Sequence, residues 1–202
     1  MKNLWLTLLR KQARRRGLLD VRSSLSASAV FALVRDMPYQ RASSRHPNAI
    51  LREWKGTCSG KHYALKTLFD EMSFKTQLML CTHEFTPADY SHLPQFLRDQ
   101  LTDGPIPDVH TFLRLATATG WMDVDATWPF STKRLGMPVN ERFELGTNMR
   151  IACEPIQFFK VPSESNPQAF KEELIRKYCS AQAQRRDRFI EALSAWLSEA
   201  QQ

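Results

Sequence analysis

The stretch VHTFLRLATATGWMDVDATW, residues 109–128, alternates apolar and polar positions on both sides of the segment TATG. Period two on either side of a short turn predicts an antiparallel hairpin, with strands over 109–116 and 121–128. With the loop centred between residues 117 and 118, His110 stands directly opposite Asp125 and both side chains leave the same face. Opposed Cβ atoms lie about 5 Å apart, close enough for a carboxylate to hold an imidazole by its second nitrogen. That register puts Asp123 on the same face but opposite Phe112, two residues out of step.

Outward from the hairpin, TQLMLCTHEF (76–85) has the short, β-favouring composition of a further strand. MRIACEPIQFFKV (149–161) predicts another, pushed to an edge or bulge by Pro155. The remaining chain reads as helix and loop. Leu4, Trp5, Leu6, Leu8 and Leu9 predict a helix over 3–16, stopped by Gly17. Ser23 or Ser24 is positioned to cap a second, ended by the turn at Pro38. PYQRASSRHPN (38–48) is polar, proline-bounded loop. Leu65, Leu68, Phe69 and Met72 recur at helical spacing and predict a helix over 58–72. SHLPQFLRDQLTDGPIPD (91–108) reads as a short helix and a Gly-Pro loop, and residues 168–200 as one long or two consecutive helices. The class expected is α+β.

The helix over 58–72 opens at Cys58. If Gly56 or Thr57 is its cap, the thiol sits in the first turn, where unpaired N–H groups and the positive end of the helix dipole favour thiolate. Those N–H groups could also hold a developing oxyanion. The plainer alternative is a small buried hydrophobe, the commoner fate of a cysteine.

A cysteine opening a helix, then a histidine on one strand, then an aspartate on the next is the order of GTCSGKH (56–62), DVHTFLRL (108–115) and GWMDVDATW (120–128). On these motifs the chain resembles the transglutaminase-like branch of the papain-like thiol enzymes over about residues 38–128. PYQR followed by GTCSGKH is closest to small bacterial transglutaminase-like proteins. The resemblance implies a papain-like α+β fold, with the nucleophile helix packed on an antiparallel sheet and flanked by N- and C-terminal helices. It implies a single domain over 1–202, with a basic helical arm over 1–37, a catalytic core over 38–165 and a C-terminal helical segment over 166–202. It implies a Cys58–His110–Asp125 triad for acyl transfer to water or an amine, acting on an amide- or ester-containing substrate without cofactor or metal. One departure is His110-Thr111-Phe112, where the family follows its histidine with a small residue and an aromatic. Substrate choice therefore does not carry over.

Other residues compete for roles. Trp54 could lend its indole N–H to an oxyanion, though tryptophan is more often a packing residue. Tyr39, Gln40 and Arg41 fall near the cleft by resemblance, and a solvated turn explains them almost as well. His62, Cys81 and His83 could together bind zinc, but zinc spacings are tighter than theirs, and no metal is expected.

Composition narrows the classes. At 202 residues and 43% hydrophobic the chain can bury a core. No apolar run of about 18 residues exists, so no transmembrane span is expected. The opening MKNLWLTLLRKQARRRG lacks a secretory pattern, and four scattered cysteines make no disulfide framework, so a cytoplasmic protein with free thiols is expected. Residues 1–52 hold 11 Lys or Arg and 2 acids, a net of +9 against +7 for the whole chain, which leaves −2 for the rest. That basic segment could contact an anionic partner, and a binding protein using it is the rival to an enzyme. Yet Arg14, Arg15 and Arg16 also suit the negative end of the first helix. No nucleic-acid-binding motif accompanies it.

Overall fold

The computed structural model describes residues 3–199. Among these residues seven α-helices and a four-stranded antiparallel sheet make an α+β fold. The helices are α1 Leu4–Arg15, α2 Ala27–Arg35, α3 Pro47–Glu53, α4 Cys58–Glu71, α5 Gln95–Arg98, α6 Pro167–Cys179 and α7 Ala183–Glu199. The strands are β1 Thr76–Phe85, β2 Ile106–Thr117, β3 Gly120–Val124 and β4 Gln157–Lys160, in the order β3-β2-β1-β4. No helix among the described residues is long and apolar enough to cross a membrane.

The hairpin forms, but its register differs from the expected one. Thr117 pairs with Gly120 around a two-residue turn, so Leu113 faces Val124 and Arg114 faces Asp123. Gly120 explains the shift: its φ of 128° is open to glycine and strained for other residues, which places the turn one residue later. Asp123 therefore lies opposite Arg114, not Phe112, and its carboxylate takes the Arg114 Nε–H at 2.6 Å. Moving the turn by one residue moves partners by two, so the facing parity survives. β3 ends at Val124, and Asp125 is the first residue beyond the ladder.

Elsewhere the boundaries follow local chemistry. β1 occupies the predicted 76–85, and Gly17 ends the first helical region at a φ of 69°. The cap of α2 is Ser26, whose Oγ accepts the Ala29 N–H at 3.2 Å, rather than Ser23 or Ser24. Only Gln157–Lys160 of the predicted 149–161 strand joins the sheet, at an edge. The N–H groups before it go elsewhere, Met149 to Asp123 O and Ile156 to Thr82 O. α3 was not anticipated: His46 Nδ1 caps it, Pro47 starts it, and Trp54 closes it at a φ of 57°. The C-terminal region is two helices joined by a 3₁₀ turn.

The N-terminal helices are not a detachable arm. Leu9 and Ala13 of α1 and Val30, Phe31 and Val34 of α2 share one core with α3, α4 and the sheet. Glu71, the last residue of α4, accepts the N–H groups of Trp5 and Leu6 at 3.0 and 2.8 Å and so caps α1. Arg16 lies over the Trp54 ring at 4.8 Å and bonds Gln12, in keeping with a helix-ending role. A second core joins Phe85, Leu97, Ile106 and Trp128 to Phe189, Leu193 and Leu197 of α7. Leu9→Ala should cost about 2–5 kcal/mol, read from urea denaturation. A change within about 0.5 kcal/mol would make α1 dispensable.

Candidate active site

α3 ends in a left-handed turn at Trp54, and after three intervening residues α4 begins at Cys58. Thr57 is the N-cap in extended conformation, with no side-chain cap bond, so Cys58 is the first helical residue above uncapped N–H groups. Gly60 lets α3 approach, because a Cβ there would lie 2.5 Å from Ile50 Cδ1.

The three expected residues come together and are buried: Cys58 is 8% exposed, His110 5% and Asp125 2%. His110 Nε2 meets Asp125 Oδ2 at 2.8 Å, which leaves Nδ1 for the thiol with which His110 also interacts. Backbone donors fix the carboxylate. Thr127 N–H donates to Oδ1 and Ala152 N–H to Oδ2, both at 2.9 Å. Asn140 Nδ2 donates to the Asp125 carbonyl at 2.9 Å and to the Arg150 carbonyl at 2.8 Å, binding the 149–153 loop to the same residue.

His62, considered above as a ligand, is a structural tie. Its Nδ1 lies 2.8 Å from Cys58 O, and its Nε2 accepts the Ala126 N–H at 2.9 Å. An acceptor at Nε2 requires the neutral ring with its proton on Nδ1. Burial, which lowers the ring to about 4 despite Asp125, agrees with that tautomer. α4 is thus bonded directly to the chain leaving β3. Cys81 and His83 have other neighbours: Cys81 Sγ lies 3.8 Å from Cys153 Sγ, and His83 Nε2 lies 3.7 Å from Asp108 Oδ2. All four cysteines are free.

Trp54 belongs to the main core under Arg16. Tyr39 is not a solvated turn residue: it is 7% exposed and its ring packs on Trp128 at 4.7 Å. Burial pushes its hydroxyl well above the ordinary tyrosine range, with charge at Cys58 and Asp108 adding to the effect. Gln40 and Arg41 are exposed, as a turn requires.

Two lysines escaped the sequence reading. Lys171 of α6 is 6% exposed and places Nζ 3.6 Å from Cys58 Sγ, 2.9 Å from Ser59 Oγ and 3.2 Å from Thr111 Oγ1. Lys61 is fully buried and donates to Arg35 O at 2.7 Å and Thr127 O at 3.0 Å, while burial lowers it to about 7. In sequence both sit in helical segments with nothing to distinguish them from solvated lysines. The only signal, GKH beside the cysteine, points to Lys61 by proximity alone.

The electrostatics follow. Burial pushes the Cys58 thiol up, but the Lys171 ammonium and then His110 outweigh it and bring the thiol to about 5. Burial opposes charge on His110, but Asp125 holds it well above the ordinary histidine value. Burial likewise opposes charge on Asp125, and the imidazole keeps it below the usual carboxylate range. These directions favour a thiolate at Cys58 beside a charged His110 and Asp125. A cavity of about 610 Å³ lies one turn along from Ser59 and Lys171, lined by Tyr63, Leu78, Gln168 and the 43–47 loop.

No protein-family model, curated protein or solved structure matches this chain.

Because the folded thiol titrates near 5, Cys58 should alkylate at a rate constant that is level above about pH 6 and falls as pH drops through 5. Burial raises Cys179 to about 11, so Cys58 should also outpace it at neutral pH. Iodoacetamide kinetics with peptide mapping read both, and a Cys58 rate that climbs only above pH 8 would show an ordinary thiol.

Proposed function

We propose that this protein is a cysteine-dependent acyl-transfer enzyme of the transglutaminase-like kind, acting on an amide or ester through a thioester. One observation carries the reading: a cysteine at the first position of a helix, a histidine and an aspartate form one buried chain, with His110 Nε2 on Asp125 Oδ2 at 2.8 Å. The motifs GTCSGKH, DVHTFLRL and GWMDVDATW add the family resemblance to that geometry.

In this reading the Cys58 thiolate attacks the carbonyl carbon. The oxyanion forms beside the uncapped N–H groups of the α4 first turn, where fixed dipoles stabilise it. His110, already protonated, gives its Nδ1 proton to the leaving amine or alcohol as the C–N or C–O bond breaks. The thioester then passes to water or an amine, with neutral His110 taking the proton. Asp125 holds the imidazole through Nε2 and stabilises its charged form. The cavity beside Tyr63 and Gln168 offers room for the rest of the acyl donor. An amidase, a peptidase and an amide-forming transferase share this chemistry and differ in what reaches the thioester.

Activity should be sought with activated esters and a panel of thiol electrophiles. Cys58→Ala and His110→Ala should each abolish turnover, and the double variant should be no worse than either, since members of one unit do not add. Asp125→Asn should lose rate and also stability. An amide has one acceptor oxygen where the carboxylate has two, so a backbone N–H at Thr127 or Ala152 loses its partner at a cost of about 1–3 kcal/mol. Asp123→Asn removes a partly exposed pair with Arg114, worth about 0–1 kcal/mol, and should leave the rate alone. Turnover that survives Cys58→Ala would sink the proposal.

A further inference from the structure

Lys171 has an unusual set of neighbours for a buried ammonium. Among the described residues no carboxylate forms an ion pair with it. Asp108, near enough to feel its charge, is bonded to Arg186 Nε at 2.7 Å. The three contacts of Nζ are the Ser59 hydroxyl, the Thr111 hydroxyl and the Cys58 sulfur. An ammonium carries three protons, so each finds an acceptor, and the anionic sulfur is the only charged one.

We propose that Lys171 is an internal acyl acceptor: the acyl group that Cys58 takes as a thioester passes to Lys171 Nζ and leaves an Nε-acyl-lysine. The inference rests on Cys58 being the nucleophile assigned above. Acylation converts the thiolate into a neutral thioester and removes the one anion touching the ammonium. An uncompensated buried charge costs several kcal/mol, and lysine resolves that by giving up a proton. His110 is the base at hand, having just protonated the leaving group. The proton lost is the one that pointed at sulfur. The two N–H bonds that remain keep Ser59 Oγ and Thr111 Oγ1 as acceptors, and the lone pair takes the third direction, toward the thioester.

The step balances with no outside reagent. The amine attacks the thioester carbonyl, the N–C bond forms, and the C–S bond breaks with its electron pair returning to sulfur. His110 already holds the first proton lost by the ammonium, so the second nitrogen proton goes to the departing sulfur, which leaves as the Cys58 thiol. An amide is the more stable acyl linkage, so the transfer runs downhill. Holding the amine in place replaces an encounter with a positioned nucleophile.

Incubating the full chain with p-nitrophenyl acetate, followed by acid quench and peptide mapping before and after hydroxylamine, tests the transfer. Expected is a hydroxylamine-stable acetyl group on Lys171, at least tenfold more abundant in the wild type than in Cys58→Ala. Lys171→Met should instead hold the acetyl on Cys58, labile to hydroxylamine. The comparison of wild type with Cys58→Ala stands even if Lys171→Met does not fold. Steady p-nitrophenol release that depends on Cys58 while Lys171 stays unmodified would overturn the inference and leave the proposed function intact. Equal Lys171 acetylation in Cys58→Ala would also overturn it, as direct chemistry. No acetyl adduct and no release dependent on Cys58 would sink the nucleophile assignment and this inference together.

Discussion

The buried carboxylate of Asp125 organises the parts of the chain that meet at the site. It is 2% exposed, yet three donors converge on it: His110 from β2, Thr127 from its own loop and Ala152 from the segment before β4. A carboxylate buried without donors would take up a proton; one given two backbone N–H groups and an imidazolium stays ionised. Its immediate neighbour is tied as well, since Ala126 N–H donates to His62 in the second turn of α4. One residue thereby sets how α4, β2 and the loop behind them stand relative to each other.

This arrangement explains why the hairpin was legible as a partnership but not as a register. The pairing of His110 with Asp125 follows from parity, which a two-residue change of partner leaves intact. The turn itself depends on where a positive φ is best tolerated, and Gly120 decides that at the last position of TATG. Beyond Val124 the chain is held by bonds to His62 and by its own carboxylate, contacts with partners 64 and 2 residues away. Side-chain alternation continues through Thr127 in the sequence, so periodicity alone gives no reason for the strand to stop there. The same limit applies to 149–156, whose pattern is strand-like but whose N–H groups are taken by Asp123, Asp125 and Thr82. β1, held on both sides by regular ladders, was readable to the residue.

The start of α4 was legible because its chemistry is local, although the equally local caps of α2 and α3 were not read. Thr57 before Cys58 needs nothing but a change of backbone direction. Lys171 is the opposite case. Its burial is created by α6 lying over β2, and neighbours of sequence such as Glu172 and Glu173 mark the segment as solvated. The charge content of 1–52 misled for a related reason. The basic residues are real, but α1 and α2 supply Leu9, Phe31 and Val34 to the core between them, so a segment that looks like an arm by charge is interior by its apolar positions.

The cations of the site come from the far end of the chain, and this changes what the C-terminal helices are for. Among the groups that act on the thiol, Lys171 is the strongest force toward thiolate, and it belongs to α6. Asp108, whose carboxylate raises the thiol, is held by His83 and by Arg186 of α7, with Arg186 Nε 2.7 Å from Oδ1. Lys171 is thus the largest of the forces that oppose the burial of the thiol, while Asp108 acts against it. The segment after residue 166 therefore does more than cover one side of the sheet: it completes the charge balance that lets the first turn of α4 hold a thiolate.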